Sequence, residues 1–178
     1  FKLKIHNLTK ATETIANAIK EDRPVLFLTD TDNDGSLSQA VLIEFMKLIP
    51  QDKKKLFHIE YAQAIGKSHG FTYEIMDKFA EANNWSNDKS FLIVTADNGI
   101  NNRSEQEAIL SKWKNADLII TDHHLPNETV VLENDRTIIF NPKYQPNEYF
   151  KTSKNISGAN TLGVLLTQVF HSIAPVKR

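Results

Sequence analysis

The chain has 178 residues, 40% of them hydrophobic and 24% charged, with 21 basic against 22 acidic side chains and a formal net charge of −1. That size suits one ordinary domain, able to bury roughly 70% of the surface its unfolded chain would expose, and the charge balance excludes a polybasic mode of nucleic-acid binding while leaving room for a local basic groove. With no Cys in the chain, disulfide scaffolds, Cys-ligated zinc, iron–sulfur clusters and thiol nucleophiles are excluded together.

In chain order, Leu8 to Lys20 carries Leu8, Ile15, Ala18 and Ile19 on one side and predicts a helix. Val25–Leu28 then reads as a strand, and Leu37 to Ile49 as a second helix with apolar residues at 37, 41, 42, 45, 48 and 49. Lys53-Lys54-Lys55 reads as a solvated turn. Strands at Phe57–Tyr61, Phe91–Thr95, Leu118–Thr121 and Ile138–Phe140 follow, with helices at Tyr73–Ala82, Glu105–Trp113 and Asn160–Ile173. The strand segments are apolar on successive residues rather than every second one, as strands buried on both faces require. Buried strands alternating with helices predict an α/β fold, a doubly wound and mostly parallel five-stranded sheet with helices on both faces. One domain over residues 1–178 is expected. No apolar run approaches the ~18 residues that span a bilayer, and the opening FKLKIHNLTK carries no signal-peptide core, so the expected location is cytoplasmic.

Ligands of open parallel sheets bind where the strands end and the loops leave. VLFLT is followed by Asp30-Thr31-Asp32-Asn33-Asp34-Gly35, FLIVTA by Asp97-Asn98-Gly99, and DLIIT by Asp122-His123-His124. Three successive buried strands thus end in carboxylates or imidazoles on one sheet edge. Crowded carboxylates repel each other and resist desolvation unless a cation neutralises them. Asp oxygens mixed with His nitrogens, without thiolate, suit Mn²⁺ or Mg²⁺, and so many donors suit two ions of the kind that hydrolyse phosphate esters. Each piece has an ordinary counterpart. The Asp30 to Ser36 segment reads equally as a capped turn ahead of a helix starting near Ser36. It also matches the first half of an EF-hand loop, but Val41 stands where that loop needs a bidentate Glu, and a buried strand precedes it. Asp97-Asn98-Gly99 alone is a common strand-to-loop turn. Adjacent His123 and His124 after Asp122, with Pro126 ending the strand, are more pointed. His69 lies in a loop before a helix, where it reaches substrate or is an ordinary surface His. His6, His58 and His171 read as structural.

Asp30-x-Asp32-x-Asp34-Gly35, Asp97-Asn98-Gly99 and Asp122-His123-His124 resemble the first three motifs of the DHH phosphoesterases, and most closely the RecJ-like single-strand exonuclease branch. HGFTYEIMDKF and the Asn141-Pro142 segment followed by Ser157-Gly158-Ala159 resemble further segments of that branch. The resemblance, from about Val25 to Phe170, implies a metal-dependent phosphodiesterase that removes nucleotides 5′ to 3′ from single-stranded DNA with two Mn²⁺ or Mg²⁺ ions. It implies Asp30, Asp32, Asp97 and His123 as metal ligands, with Asp97 shared between the ions. His124 would meet a second ion or the scissile phosphate, and Asp122 would orient the histidines. Asp34, His69, Ser157 and Gly158 are expected at the substrate, the last two opening a helix whose free N–H groups hold a phosphate. Lys67, Lys143, Lys151 and Lys154 flank the motif loops and read either as a track for a single strand or as ordinary solubilising lysines. Protein partners in replication or repair are implied as well. Two departures stand out: after His124 the only Asp is Asp135, which does not fit the fourth motif, and a second, smaller DHHA1-like domain is missing. A fragment of a longer protein is expected. Alternatives inside the family are hydrolysis of short oligoribonucleotides, cyclic dinucleotides or pyrophosphate. Outside it stand an aspartyl phosphatase of haloacid-dehalogenase type, from Asp32 to Leu37, and a non-catalytic scaffold.

Overall fold

The computed structural model describes residues 6–62, 70–127, 129, 133–144 and 155–174. The apolar runs become strands β1 (Val25–Thr29), β2 (Phe57–Tyr61), β3 (Phe91–Ala96), β4 (Ala116–Thr121) and β5 (Thr137–Phe140). The amphipathic segments become helices α1 (Leu8–Lys20), α2 (Asn33–Leu48), α3 (Tyr73–Ala82), α4 (Arg103–Lys112) and α5 (Gly158–Ile173). All four strand pairings are parallel, in the order β2-β1-β3-β4-β5. Among the described residues no helix is long and apolar enough to cross a membrane.

Because side chains alternate across a strand, consecutive apolar residues feed two cores. Phe27, Leu92, Val94, Ile119 and Phe140 meet α1, α2 and α5 on one face. Leu26, Leu28, Ile93, Leu118 and Ile120 meet α3 and α4 on the other. Each fully buried Leu, Ile or Phe in these layers contributes about 1.5–3 kcal/mol through removal from water. Both faces are therefore covered, and the doubly wound expectation holds.

Three local expectations change. Helix α2 starts at Asn33 rather than near Ser36, because the Asp32 carboxylate accepts from Gly35 N–H at 2.8 Å and caps it. Its buried stripe is Ser38, Leu42, Phe45 and Ile49, which leaves Leu37 and Leu48 59% and 58% exposed. Leu42, Phe45 and Ile49 belong to the expected apolar set, and Leu37 and Leu48 share its period closely enough that periodicity alone did not separate the buried members from the exposed ones. The lysine run lies in a 3₁₀ helix, Gln51–Leu56, pinned by Lys53 to Asp22 at 2.7 Å.

Candidate metal centre

β1, β3 and β4 are neighbours with Thr29 opposite Ala96 and Ala96 opposite Thr121. The next residue of each strand is an aspartate, so Asp30, Asp97 and Asp122 form a row across the C-terminal edge. The ladder runs into this row: Asp30 N–H donates to Ala96 O at 3.1 Å, Asp97 N–H to Thr121 O at 3.0 Å and Asp122 N–H to Phe140 O at 3.3 Å. Between β1 and β3 the strand order reverses, and α2 and α4, which follow them, pack on opposite faces. That divergence opens a crevice at the switch point, where such sheets bind ligands.

Asp30, Asp32 and Asp97 offer ligand atoms within 4.8 Å of one another, and Asp97, His123 and His124 do the same, with Asp97 common to both groups. Asp97 is fully buried and sits at φ +68°, a left-handed backbone that costs a residue other than Gly about 1 kcal/mol. Gly99, two residues on, needs the same freedom at φ +104°. Neither carboxylate oxygen of Asp97 receives a hydrogen bond. Burial, followed by the negative charges of Asp34, Asp32 and Asp122, pushes its pKa up to about 8, opposed by His124.

His123 faces Asp97 in a way that calls for a cation. Its Nδ1 lies 3.0 Å from Ile156 O, which only accepts, so Nδ1 carries the proton. In the neutral ring Nε2 then presents a lone pair to Asp97 Oδ1 at 3.0 Å and to Asp34 Oδ2 at 3.5 Å. Acceptors this close repel unless a proton or a metal cation lies between them. Oxygen and imidazole donors without sulfur fit Mn²⁺ or Mg²⁺.

Asp122 orients its neighbours. Its Oδ1 accepts from His124 Nδ1 at 2.7 Å and from the backbone N–H groups of His123 and His124, and its Oδ2 accepts from Ile100 N–H at 3.0 Å. Burial alone would raise its pKa; the bonds from His124 and Ile100 outweigh that and hold it low. The same bond to Asp122 raises His124 to about 9 against the cost of burial, helped by Asp122, Asp97 and Asp30 charges. Thus Asp122 holds the His124 ring through Nδ1, whereas the His123 ring is held through its own Nδ1 by Ile156 rather than by Asp122.

The helix α5 expectation needs correction. The N–H groups of Gly158 and Ala159 are not free: Asp34 accepts from them at 2.8 and 3.2 Å. Ser157 spends its hydroxyl as the N-cap, accepting from Asn160 N–H at 3.2 Å. Asp34 therefore ties α5 to α2 beside His123, and a substrate phosphate would have to displace it from the first N–H groups of α5. Gly158 itself must lack a side chain, since a Cβ there would lie 2.6 Å from Asp97 Cβ and Cγ. Gly35 is similarly constrained, a Cβ falling 2.8 Å from Asp30 Cα and closer to its carbonyl.

His69, Lys67, Lys151 and Lys154 lie outside the described residues. Lys143 follows β5 at the site's edge, its N–H donating to Asn141 Oδ1 at 2.7 Å. Asp135 precedes β5 and so belongs to the opposite edge. His58 packs edge-on to Phe79 and Trp85, in keeping with a structural role. Sequence reading missed the amides that hold the row together. Asn98 Nδ2 donates to Leu28 O at 3.0 Å and Ala96 O at 2.9 Å, clamping the ends of β1 and β3. Buried Gln106 donates to Gly99 O at 2.7 Å. Asn141 donates to His124 O at 3.0 Å. Asn98 and Asn141 stood in the motifs at the strand ends, without a role, and Gln106, within α4, left no signal in the sequence. At the opposite edge charge is compensated internally: Arg23 pairs with Asp117 at 2.7 Å, and Arg136 donates to Ala116 O. The C-terminal edge keeps its excess of carboxylate.

Fold and site together define a parallel α/β domain with a carboxylate–imidazole centre at its switch point. Residues 24–172 match the DHH family, N-terminal domain, and the chain belongs to that family. This membership displaces the haloacid-dehalogenase alternative. The chain is 29% identical over 164 residues to the single-stranded-DNA-specific exonuclease RecJ of Salmonella typhimurium, covering 91% of this chain and 25% of the relative. To RecJ of Escherichia coli it is 30% identical over 128 residues, covering 71% and 20%. It spans about a quarter of these curated relatives' length or less. Among solved structures, exonuclease RecJ bound to manganese superposes with a TM-score of 0.72 at 21% identity, covering 97% of this chain and 39% of that one. CDC45 from Entamoeba histolytica superposes with a TM-score of 0.56 at 12% identity, covering 95% and 30%. These likenesses establish the fold as that of the DHH domain.

Proposed function

We propose that this domain is the catalytic domain of a metal-dependent phosphodiesterase that trims single-stranded DNA, as the RecJ relatives' name suggests, and does so from a 5′ end, as the resemblance of its motifs implies. The observation that carries the metal dependence is the convergence of Asp30, Asp32, His123 and His124 ligand atoms on fully buried Asp97. Asp30 and Asp32 would hold one ion and His123 a second, with Asp97 between them; His124 joins the second group or meets the scissile phosphate. Divalent cations, Mn²⁺ or Mg²⁺, supply there a lowered water pKa and neutralisation of phosphoryl charge. The chain's own part is positional. Asp122 fixes the half-exposed His124 ring through Nδ1, Asn98 holds the strand ends that carry the ligands, and Asp34 fixes α5 behind Asp97. Near-neutral charge suits a narrow slot for a single strand. Short oligoribonucleotides, cyclic dinucleotides and pyrophosphate would use the same centre, so substrate choice rests on the relatives.

The test is calorimetric titration of Mn²⁺ into the chain and into Asp30→Ala, followed by 5′-phosphorylated single-stranded DNA. Binding by the parent, lost in the variant, with nucleotide release from the DNA, supports the reading. No Mn²⁺ binding by the parent overturns it.

A further inference from the structure

Leu125 is the most exposed large hydrophobic side chain among the described residues, at 75%. Isolated exposed Leu residues ordinarily need no explanation; Leu125 differs in how firmly its backbone is held. Asn101 Nδ2 donates to Leu125 O at 3.1 Å, while Asn101 Oδ1 accepts from Asn127 N–H at 2.8 Å. Asn141 Nδ2 donates to His124 O at 3.0 Å from the other side. Asp122 fixes the backbone of His123 and His124. Pro126 then restricts Leu125 to extended backbone. Ordering residues costs about 1–2 kcal/mol each in backbone entropy, and here the side chains of two neighbouring loops, with Asp122 of its own, offset that cost while an apolar group stays in water. Asn101 also lines, with Asp97, Asn98 and His124, a cleft of about 180 Å³. Leu125 is thus fixed to the rim of the metal centre.

A phosphate gains nothing from an isobutyl group. What lies beside a phosphodiester and does gain is the flat face of a nucleobase. We propose that Leu125 is a substrate-positioning surface on which the nucleobase next to the cleaved bond packs. This rests on the phosphodiesterase reading above and narrows it, since pyrophosphate has no base to place there. The contact is apolar and makes no hydrogen bond to a base edge, so it accepts every base alike.

The experiment measures Mn²⁺-dependent hydrolysis of two 5′-phosphorylated oligothymidylates by the chain and by Leu125→Ala and Leu125→Met. One substrate is intact and the other carries an abasic residue at the nucleotide being released. On the intact strand Leu125→Ala raises KM about tenfold with kcat within about twofold, the size set by losing most of a Leu contact, and Leu125→Met restores it. On the abasic strand the parent already shows that loss and Leu125→Ala adds none. Mn²⁺ affinity is unchanged in both variants. Equal losses on the two strands, or no loss on either, overturn the assignment of Leu125. No hydrolysis of the intact strand by the parent overturns the phosphodiesterase reading itself, and with it the assignment.

Discussion

Gly158→Ala sets two effects of opposite sign against each other. At an ordinary helical position, exchange of Gly for Ala stabilises by about 0.5–1 kcal/mol. At 158 the new methyl would stand 2.6 Å from Asp97 Cβ and Cγ, where ordinary contact begins near 3.4 Å, so something must move by roughly 0.8 Å. Overpacking of this kind costs about 1–3 kcal/mol, and the movement pulls Gly158 and Ala159 N–H from Asp34 or Asp97 from its place. The net expectation is a loss of about 1–2 kcal/mol, a Tm lower by roughly 2–8 °C for a domain of this size, with Mn²⁺ affinity down at least about tenfold. Gly163→Ala in the same helix is the control: its methyl meets only Val41 Cγ1 at 3.8 Å, so it raises Tm slightly and leaves Mn²⁺ binding alone. Thermal melts and calorimetry on both variants decide the matter. If Gly158→Ala matched Gly163→Ala in Tm and Mn²⁺ affinity, the close packing of α5 on Asp97 would be refuted.

Asp97→Asn removes a buried carboxylate crowded by Asp34, Asp32 and Asp122; the metal-free variant should outlast the parent in denaturant at pH 9, while the stabilisation by Mn²⁺ seen in the parent disappears. Equal Mn²⁺ stabilisation of both proteins would remove Asp97 from the ligand set. Without metal, Asp97 near 8 and His124 near 9 titrate above their ordinary values of 3.8 and 6.5, so both bind protons more tightly in the folded state. Their stabilisation is complete below the unfolded values and is lost as pH rises through about 8 and about 9. The metal-free Tm should therefore fall between pH 7 and 9.5, and Mn²⁺ binding at pH 7 should release protons, read from a calorimetric buffer series; a flat Tm and no release would contradict these shifts. Asn98→Ala strips the donor from two strand-end carbonyls and should cost about 2 kcal/mol together with weaker Mn²⁺ binding. A stability loss with Mn²⁺ affinity intact would show that Asn98 does not set the spacing of Asp30 and Asp97.

What the sequence revealed and what it hid divide along a physical line. Buried parallel strands announce themselves as unbroken apolar runs, and both the sheet and the row Asp30, Asp97, Asp122 follow from adding one residue to each run. Helix registers were less legible, since exposed Leu37 and Leu48 of α2 share the period of buried Leu42, Phe45 and Ile49 and only the packed sheet chooses between them. The Asp30–Ser36 segment admitted a capped turn or a metal loop as alternatives; the structure shows the cap, and having the cap does not exclude the metal loop. Asp32 Oδ1 caps α2, and the same carboxylate lies in one group with Asp30 and Asp97. Three-dimensional pairings such as Asp34 with Gly158, 124 residues apart, leave no local trace. Neither does the tautomer of His123, which depends on the carbonyl of Ile156.

That last pairing shows why α5 belongs to the site although it contributes no ligand. Ile156 orders the His123 ring, Gly158 makes room for Asp97, and Asp34 binds the helix's first N–H groups from across the crevice. Two of the three segments that supply donors, the one after β1, through Asp34 at the start of α2, and the one after β4, are thus fixed against the same four residues, 156–159, before and at the start of α5. Charge neutralisation at Asp97 would relieve the repulsion from Asp34 as well, so cation binding and the seating of α5 favour each other. Hydrogen exchange at the amides of Gly158 and Ala159 reads this coupling directly: Mn²⁺ should slow it in the parent and leave it unchanged in Asp97→Asn. Slowing of equal size in both would mean that α5 is seated independently of the metal centre.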